Sequence, residues 1–405
     1  MKNFDNNDYI LSDEQKTAKE SDAEWTLITG HGGTGKTIAL LEKAIFLLEK
    51  EKMNNPDEKS GKVVFISGTM NKEYEYFKEL VDNNFAGYGE MFRYCTKTDF
   101  LRRYLNDRND SCYPTYNYSN KNPHAKENIE ELDKMFDCMS ENNVIKKYNH
   151  ILIDEAQDFS FAELYLIAKS AVNSLTIVAS SAQDVFYMKY NKYSRNSKKV
   201  NDYHEWFIIQ HLLEYYNPGR KFKEIKLNKQ QFRCTEAISK FANSIISSKE
   251  IESDIRFRSA GHKPVMNICR NETHEYSLLG SRISKVLNDT ESDAHYLSNV
   301  AVLTINDTNA GIVKQNLKDC GYYFNDREDV LITNAVIVKG IEFKHVFIVL
   351  ETMNDQNTYK TCKNLYTAVT RATDHVELFI CEDKKNYYQD KLHLNIEYYD
   401  VHDLT

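Results

Sequence analysis

Cysteine is sparse and unclustered in this chain. Eight are scattered over 405 residues and no two form a C-x-x-C pair, a usage that argues against a disulfide framework and against zinc or iron–sulfur ligation. A reducing, cytoplasmic setting is expected from it. Positive charge is not in excess either: 52 Lys and Arg face 60 Asp and Glu, for a formal net charge of −8. No global basic field draws the chain to nucleic acid, although local patches can still bind phosphates. Membrane-length apolar runs are missing; the segment 38–48 is broken by Glu42 and Lys43, so no membrane partner is expected. The opening MKNFDNNDYILSDEQ is polar and acidic, unlike a secretory signal. No Ser/His/Asp or Cys/His array suggests nucleophilic catalysis, and no carboxylate–lysine cluster suggests a nuclease. His31 and His345 are isolated and are assigned no metal.

What the chain does have is GHGGTGKT at 30–37, between an apolar run at 25–29 and an apolar-periodic segment at 38–48. Strand, glycine loop and helix in that order are the context a phosphate-binding P-loop requires. Gly30, Gly32, Gly33 and Gly35 let the backbone around Thr34 curl so that N–H groups face a polyphosphate. The following helix adds the positive end of its dipole. Lys36 would reach the β- and γ-phosphates, and the Thr37 hydroxyl would hold Mg²⁺. An NTP user is implied, with its task still open.

Apolar runs rich in Val, Ile and Leu recur at 63–66, 151–153, 175–180, 300–304, 330–333, 346–350 and 376–381. Strands buried on both faces of a parallel sheet read this way, and their alternation with helical patterns predicts α/β layers. At this length two domains are expected, divided near Asn217-Pro218-Gly219, as 1–218 and 219–405. Asn/Tyr/Ser-rich residues 104–127 begin a small insertion that extends to about 147. The stretch at 188–203 is polar and locally basic; its aromatics interleaved with lysine, at Tyr187–Lys199, could stack bases and contact phosphates, and a solvated loop is the favoured reading.

ILIDEAQDF at 151–159 sets Asp154 and Glu155 at the tip of an apolar strand. Asp154 could hold the Mg²⁺ water shell and Glu155 could orient or deprotonate the attacking water. Together with the P-loop this specifies nucleotide hydrolysis. A nucleotide kinase would end near residue 200, leaving the second half without a task.

The residues from 11 to 373 resemble, in order, the motifs of superfamily 1 helicases of the UvrD/Rep/PcrA type. LSDEQKTA at 11–18 resembles the Q motif, with Gln15 reading adenine. GHGGTGKT is similar to motif I, and TKTDFLRRYL at 96–105 to the segment that touches the single strand. IDEAQDF is similar to motif II, and ASSAQDVF at 179–186 to motif III, with Gln183 sensing the γ-phosphate. LNKQQFRCTEAI at 227–238 is similar to motif IV, where Phe232 would stack on adenine and Arg233 touch the γ-phosphate. VKGIEF at 338–343 resembles motif V, with Glu342 near the nucleotide. LYTAVTRAT at 365–373 resembles motif VI, with Arg371 as a second arginine finger. The resemblance implies two RecA-like domains, ATP and Mg²⁺ as cofactors, hydrolysis stabilised by Arg233 and Arg371, and movement along single-stranded DNA, or a single/double-strand junction, in the 3′→5′ direction.

The departures from the family pattern fall on positions that handle nucleic acid. Ser180, Ser181 and Ala182 replace acidic residues of motif III. Met188 stands where the family has an aromatic that stacks on a base, a contact worth about 1–3 kcal/mol. In motif V, Asn334 and Val336 replace the usual Thr and His. The stretch 300–340 has no room for the family's large second-domain insertion. A second expectation therefore stands beside the helicase: a regulatory ATPase or DNA-sensing subunit of a nuclease-containing complex, by analogy one of phage defence, with no unwinding of its own. DNA and RNA are not distinguished by these residues.

Overall fold

The computed structural model describes residues 10–54, 62–68, 85–97, 99–100, 147–159, 161–180, 221–246, 255–289, 300–305, 310–324, 329–350, 358–383 and 396–404. The expected insertion at about 104–147, the basic stretch at 188–203, the Asn217-Pro218-Gly219 segment, Gln183 and Met188 lie outside these residues. The chain divides into two compact units. One runs to Leu227, and the other is Asn228–Thr405, which also counts Gly32–Thr34.

The first unit opens with α1 (Asp13–Glu20), whose start is fixed by a capping box: Ser12 Oγ accepts from Gln15 N and Gln15 Oε1 accepts from Ser12 N. Then come β1 (Trp25–Thr29), α2 (Lys36–Asn54), β2 (Val63–Ser67), β3 (Phe92–Thr96), β4 (Tyr148–Asp154), α3 (Phe161–Ser170), β5 (Ala171–Ala179) and β6 (Phe222–Lys226). The strands make one parallel sheet in the order β3-β2-β4-β5-β1-β6. Strand alternation sends successive side chains to opposite faces. Val64, Ile66, Ile151, Ile153, Leu175 and Ile177 join one core layer, which includes Leu164 and Ile167 of α3. Val63, Phe65, Leu152 and Val178 join the other, against Leu40, Leu41, Ala44 and Leu48 of α2. Burial on both faces is why these strands read as unbroken apolar runs. β6 pairs with β1 from Trp25↔Phe222 to Thr29↔Lys226. This first sheet therefore reaches past residue 218, and the two units divide after Leu227.

The second unit contains β7 (Gln230–Gln231), α4 (Glu236–Ile245), β8 (Arg256–Phe257), β9 (Val265–Cys269), α5 (Glu272–Asp289), β10 (Val300–Thr304), α6 (Ala310–Asp319), β11 (Val330–Asn334), β12 (Phe343–Val349), α7 (Thr358–Val369), β13 (Ala372–Cys381) and β14 (Asp400–Leu404). Six strands form a second parallel sheet in the order β11-β10-β12-β13-β9-β14, and β7 pairs with β8 apart from it. Val300, Val302, Ile332, Phe347 and Phe379 pack on Leu279 and Ile283 of α5 and on Val313 and Leu317 of α6. Among the described residues no helix is long and apolar enough to cross a membrane.

Candidate nucleotide site

In the first unit the glycine loop leaves the carboxyl end of β1, and Asp154 ends β4 two strands away, with β5 between them. Ligands of open α/β sheets bind at such carboxyl edges. Gly33 and Gly35 take φ of 85° and 78°, left-handed values that a side chain would oppose. The loop then turns straight into α2 at Lys36. The buried Lys36 ammonium donates to the carbonyls of Gly30 at 2.9 Å and His31 at 2.8 Å, drawing the loop around it. Thr34 is buried as well. Gln15 is buried, and its Nε2 donates to Gly35 O at 3.3 Å, so the capping residue of α1 also braces the loop.

Thr37 Oγ1 donates to Asp154 Oδ2 at 2.8 Å. Two oxygens on adjacent corners of an octahedral Mg²⁺ shell, each about 2.0–2.1 Å from the metal, stand about 2.9 Å apart. The pair thus fits the two protein ligands expected for that ion. Among the described residues no group of three or more His, Cys, Asp or Glu is placed to hold a metal. Burial first, and the neighbouring Glu155 second, push the Asp154 carboxyl up to about 7, against the pull of Thr37 and Lys36.

Glu155 is the one non-glycine residue with positive φ among those described, at φ 53° and ψ 45°. Such a conformation costs of order 1 kcal/mol and is kept where surrounding structure imposes it. Here the imposing groups are visible. Glu155 N donates to Asp154 Oδ1 at 3.0 Å, and Gln157 Nε2 donates to Glu155 Oε2. The buried Gln157 turns its Oε1 to Ser180 N, at 3.0 Å. Gln157 therefore ties the carboxylate turn to the end of β5, where the ASSAQDVF segment begins. Sequence reasoning gave Gln157 no role, because its partner Ser180 is distant in the chain. In the 96–105 segment, Asp99 N donates to Thr96 Oγ1, and Lys97 Nζ lies 5.1 Å from the Phe159 ring centroid; residues 101–105 lie outside the described ones.

The second unit brings together residues from three of the quoted motifs. Arg233 follows β7, Glu342 immediately precedes β12, and Arg371 immediately precedes β13. Pairing of β12 with β13, and the bond from Phe343 N to Arg371 O at 2.9 Å, set Glu342 and Arg371 side by side. Arg233 Nε donates to Glu342 Oε1 at 2.7 Å, and its Nη1 donates to Thr370 O at 3.3 Å. Arg371 is 1% exposed and its Nε donates to Thr367 O at 3.1 Å, near the end of α7. Burial alone would raise the Glu342 carboxyl. The charge and hydrogen bond of Arg233 outweigh it, with Arg371 adding, and hold the carboxyl below its ordinary range. Phe232 is 38% exposed, as a residue available for stacking must be.

No protein-family model matches the chain, and no curated protein matches it. Solved structures do. The DEAD-box helicase Mss116, bound to single-stranded RNA and UDP-BeF, matches with a TM-score of 0.52 and 12% identity over 98% of this chain and 75% of its own. The arterivirus helicase, nonstructural protein 10, matches with a TM-score of 0.41 and 12% identity over 90% of this chain. The chain spans 61% of that viral protein's length. The fold is that of two RecA-like α/β domains. At 12% identity the likeness to Mss116 carries the helicase fold and leaves chemistry to the residues.

Proposed function

We propose that the chain is an ATP-dependent helicase or translocase of superfamily 1 that moves on a single strand. The observation that carries this reading is the Thr37–Asp154 hydrogen bond at the root of a glycine loop, with Glu155 held left-handed beside it. In this reading the loop amides and Lys36 bind the phosphates, and Thr37 and Asp154 hold Mg²⁺. The ion supplies charge neutralisation at the β- and γ-phosphates. Glu155, aimed by Gln157, accepts a proton from the attacking water. Gln183 senses the γ-phosphate, Gln15 and Phe232 bind adenine, and Arg233 and Arg371 stabilise charge on the transferring phosphoryl group. The 3′→5′ direction comes from the family resemblance. DNA is the strand that resemblance favours, and the RNA bound by Mss116 makes RNA the rival.

A second reading, an ATPase subunit that senses a strand for a nuclease partner without unwinding, is favoured by the loop after β11. Asn334 Oδ1 accepts from Val336 N at 2.9 Å and its Nδ2 donates to Thr304 Oγ1 at 3.4 Å, so its amide is spent on local structure. Val336 stands in that loop where the resemblance leads one to expect a His, and the neighbouring Ile337 is 52% exposed. ATP hydrolysis by the purified chain, with and without single-stranded DNA or RNA, tests both, with Lys36→Ala as the blank. Strand-stimulated turnover with strand displacement supports the helicase. Stimulated turnover without displacement supports the subunit, and turnover equal to the blank removes both.

A further inference from the structure

Arg233 and Glu342 are 109 residues apart in sequence and meet in a hydrogen bond of 2.7 Å. The two ends of this pair differ in access. The Arg233 side chain is 11% exposed and that of Glu342 28%, so the carboxylate is the open end. Arg371, set beside Glu342 by the pairing of β12 with β13, turns its guanidinium to Thr367 O and Thr370 Oγ1. A guanidinium fork accepts a carboxylate or a phosphate with the same geometry, so the two are rivals for Arg233.

We propose that Glu342 is a positioning residue that stands in for the γ-phosphate. It holds Arg233 when no triphosphate is bound and gives it up when one is, so that the chain's preference for triphosphate over diphosphate is tuned by this carboxylate. The inference rests on the nucleotide reading above, and it differs from the role that the family resemblance implies, in which Glu342 itself lies near the nucleotide. The two roles have opposite signs. A group that contacts nucleotide weakens binding when it is removed. A rival for Arg233 strengthens binding when its charge is removed, and only for ligands that carry a γ-phosphate.

The test measures affinity of the full chain for ADP and for the β,γ-imido analogue of ATP by calorimetric titration, in wild type and Glu342→Gln. Glutamine keeps the shape and an acceptor oxygen but not the charge. The expected result is an analogue bound about three- to tenfold tighter, the range set by a partly exposed ion pair, with ADP unchanged. Arg233→Gln added to Glu342→Gln should cancel the gain. Weakening of both ligands, or no change in either with a lower melting temperature, overturns the proposal in favour of a nucleotide contact or a structural ion pair. If Glu342→Gln does not fold, Glu342→Asp shortens the arm and keeps the charge. A smaller shift of the same sign then supports the proposal, and no shift overturns it. A wild-type chain that binds neither ligand removes the nucleotide reading and this inference together, whereas a wild type that binds both with an indifferent variant removes this inference alone.

Discussion

At the scale of single residues, Glu155 is the position where backbone and side chain make opposing demands. Its left-handed φ of 53° suits glycine or asparagine better than glutamate. The conformation persists because Asp154 and Gln157 each take a hydrogen bond from or give one to it. A strained residue held by its neighbours at a strand tip beside a glycine loop is a sign of function. Glu155→Gln keeps the backbone conformation and an oxygen for Gln157 but cannot take a proton from water. Turnover is expected to fall by about 10²–10⁴-fold, with the melting curve shifted by less than about 0.5 kcal/mol. Parallel assays of ATP hydrolysis and thermal unfolding check this; wild-type turnover would remove Glu155 from the reaction. The glycines, Lys36 and Thr37 were legible within one short motif and Asp154 within another, although the two motifs are 117 residues apart. Gln157 with Ser180, and Arg233 with Glu342, were not, since folding alone makes those pairs neighbours.

At the scale of elements, most interior strands announced themselves and the charged edge strands did not, although interior β9 was not read and edge β11 was. β2, β4, β5, β10, β12 and β13 lie inside their sheets, bury both faces and read as apolar runs. β6 and β14 are edge strands with the sequences FKEIK and DVHDL, exposed along most of their length, and an edge tolerates charge that an interior strand cannot. The boundary expected near Asn217-Pro218-Gly219 rested on its turn residues, whereas β6 pairs with β1 and the compact units divide after Leu227. Helix α5 offers a test of packing over propensity. A glycine inside a helix costs up to about 1 kcal/mol relative to alanine, so Gly280→Ala should stabilise α5 if propensity ruled. A methyl group there would lie 2.2 Å from Tyr322 Cδ2 and 2.4 Å from its Cγ, near the root of the ring. Tyr322 is in turn stacked on Phe324, with centroids 6.1 Å apart. Overpacking costs about 1–3 kcal/mol and should win, so Gly280→Ala is expected to lower stability in urea unfolding. In a Tyr322→Ala background the same change should raise it. A stabilising single substitution would show that the ring yields freely.

At the scale of the whole molecule, the first unit carries a buried histidine and the second a half-buried one, and in both the pKa is lowered below its ordinary value. In the first, His150 hydrogen-bonds Ser174 Oγ at 2.7 Å and Glu51 Oε1 at 3.1 Å; burial, the largest influence, outweighs the raising effect of Glu51 and lowers its pKa. In the second, His345 on β12 faces His375 on β13 with ring centroids 5.7 Å apart. Neither of its ring nitrogens has a hydrogen-bond partner among the described residues. Burial first, then the charges of His375 and Lys344, lower it to about 4, with Asp374 and Glu377 opposing. The sign follows from linkage. Between its ordinary value near 6.5 and about 4, the unfolded chain binds a proton that folded His345 does not, so stability rises with pH across that window. The stabilising contribution is present above about 6.5 and is lost as pH falls through about 4. The second unit is therefore expected to lose stability on acidification from pH 7 to 4.5, and His345→Leu, which carries no proton, should reduce the loss. Urea unfolding of wild type and variant at both pH values, followed by hydrogen exchange in β12 and β13, measures it. Equal losses in the two proteins would assign the acid sensitivity to other groups, with His150 and Glu51 the next pair to replace.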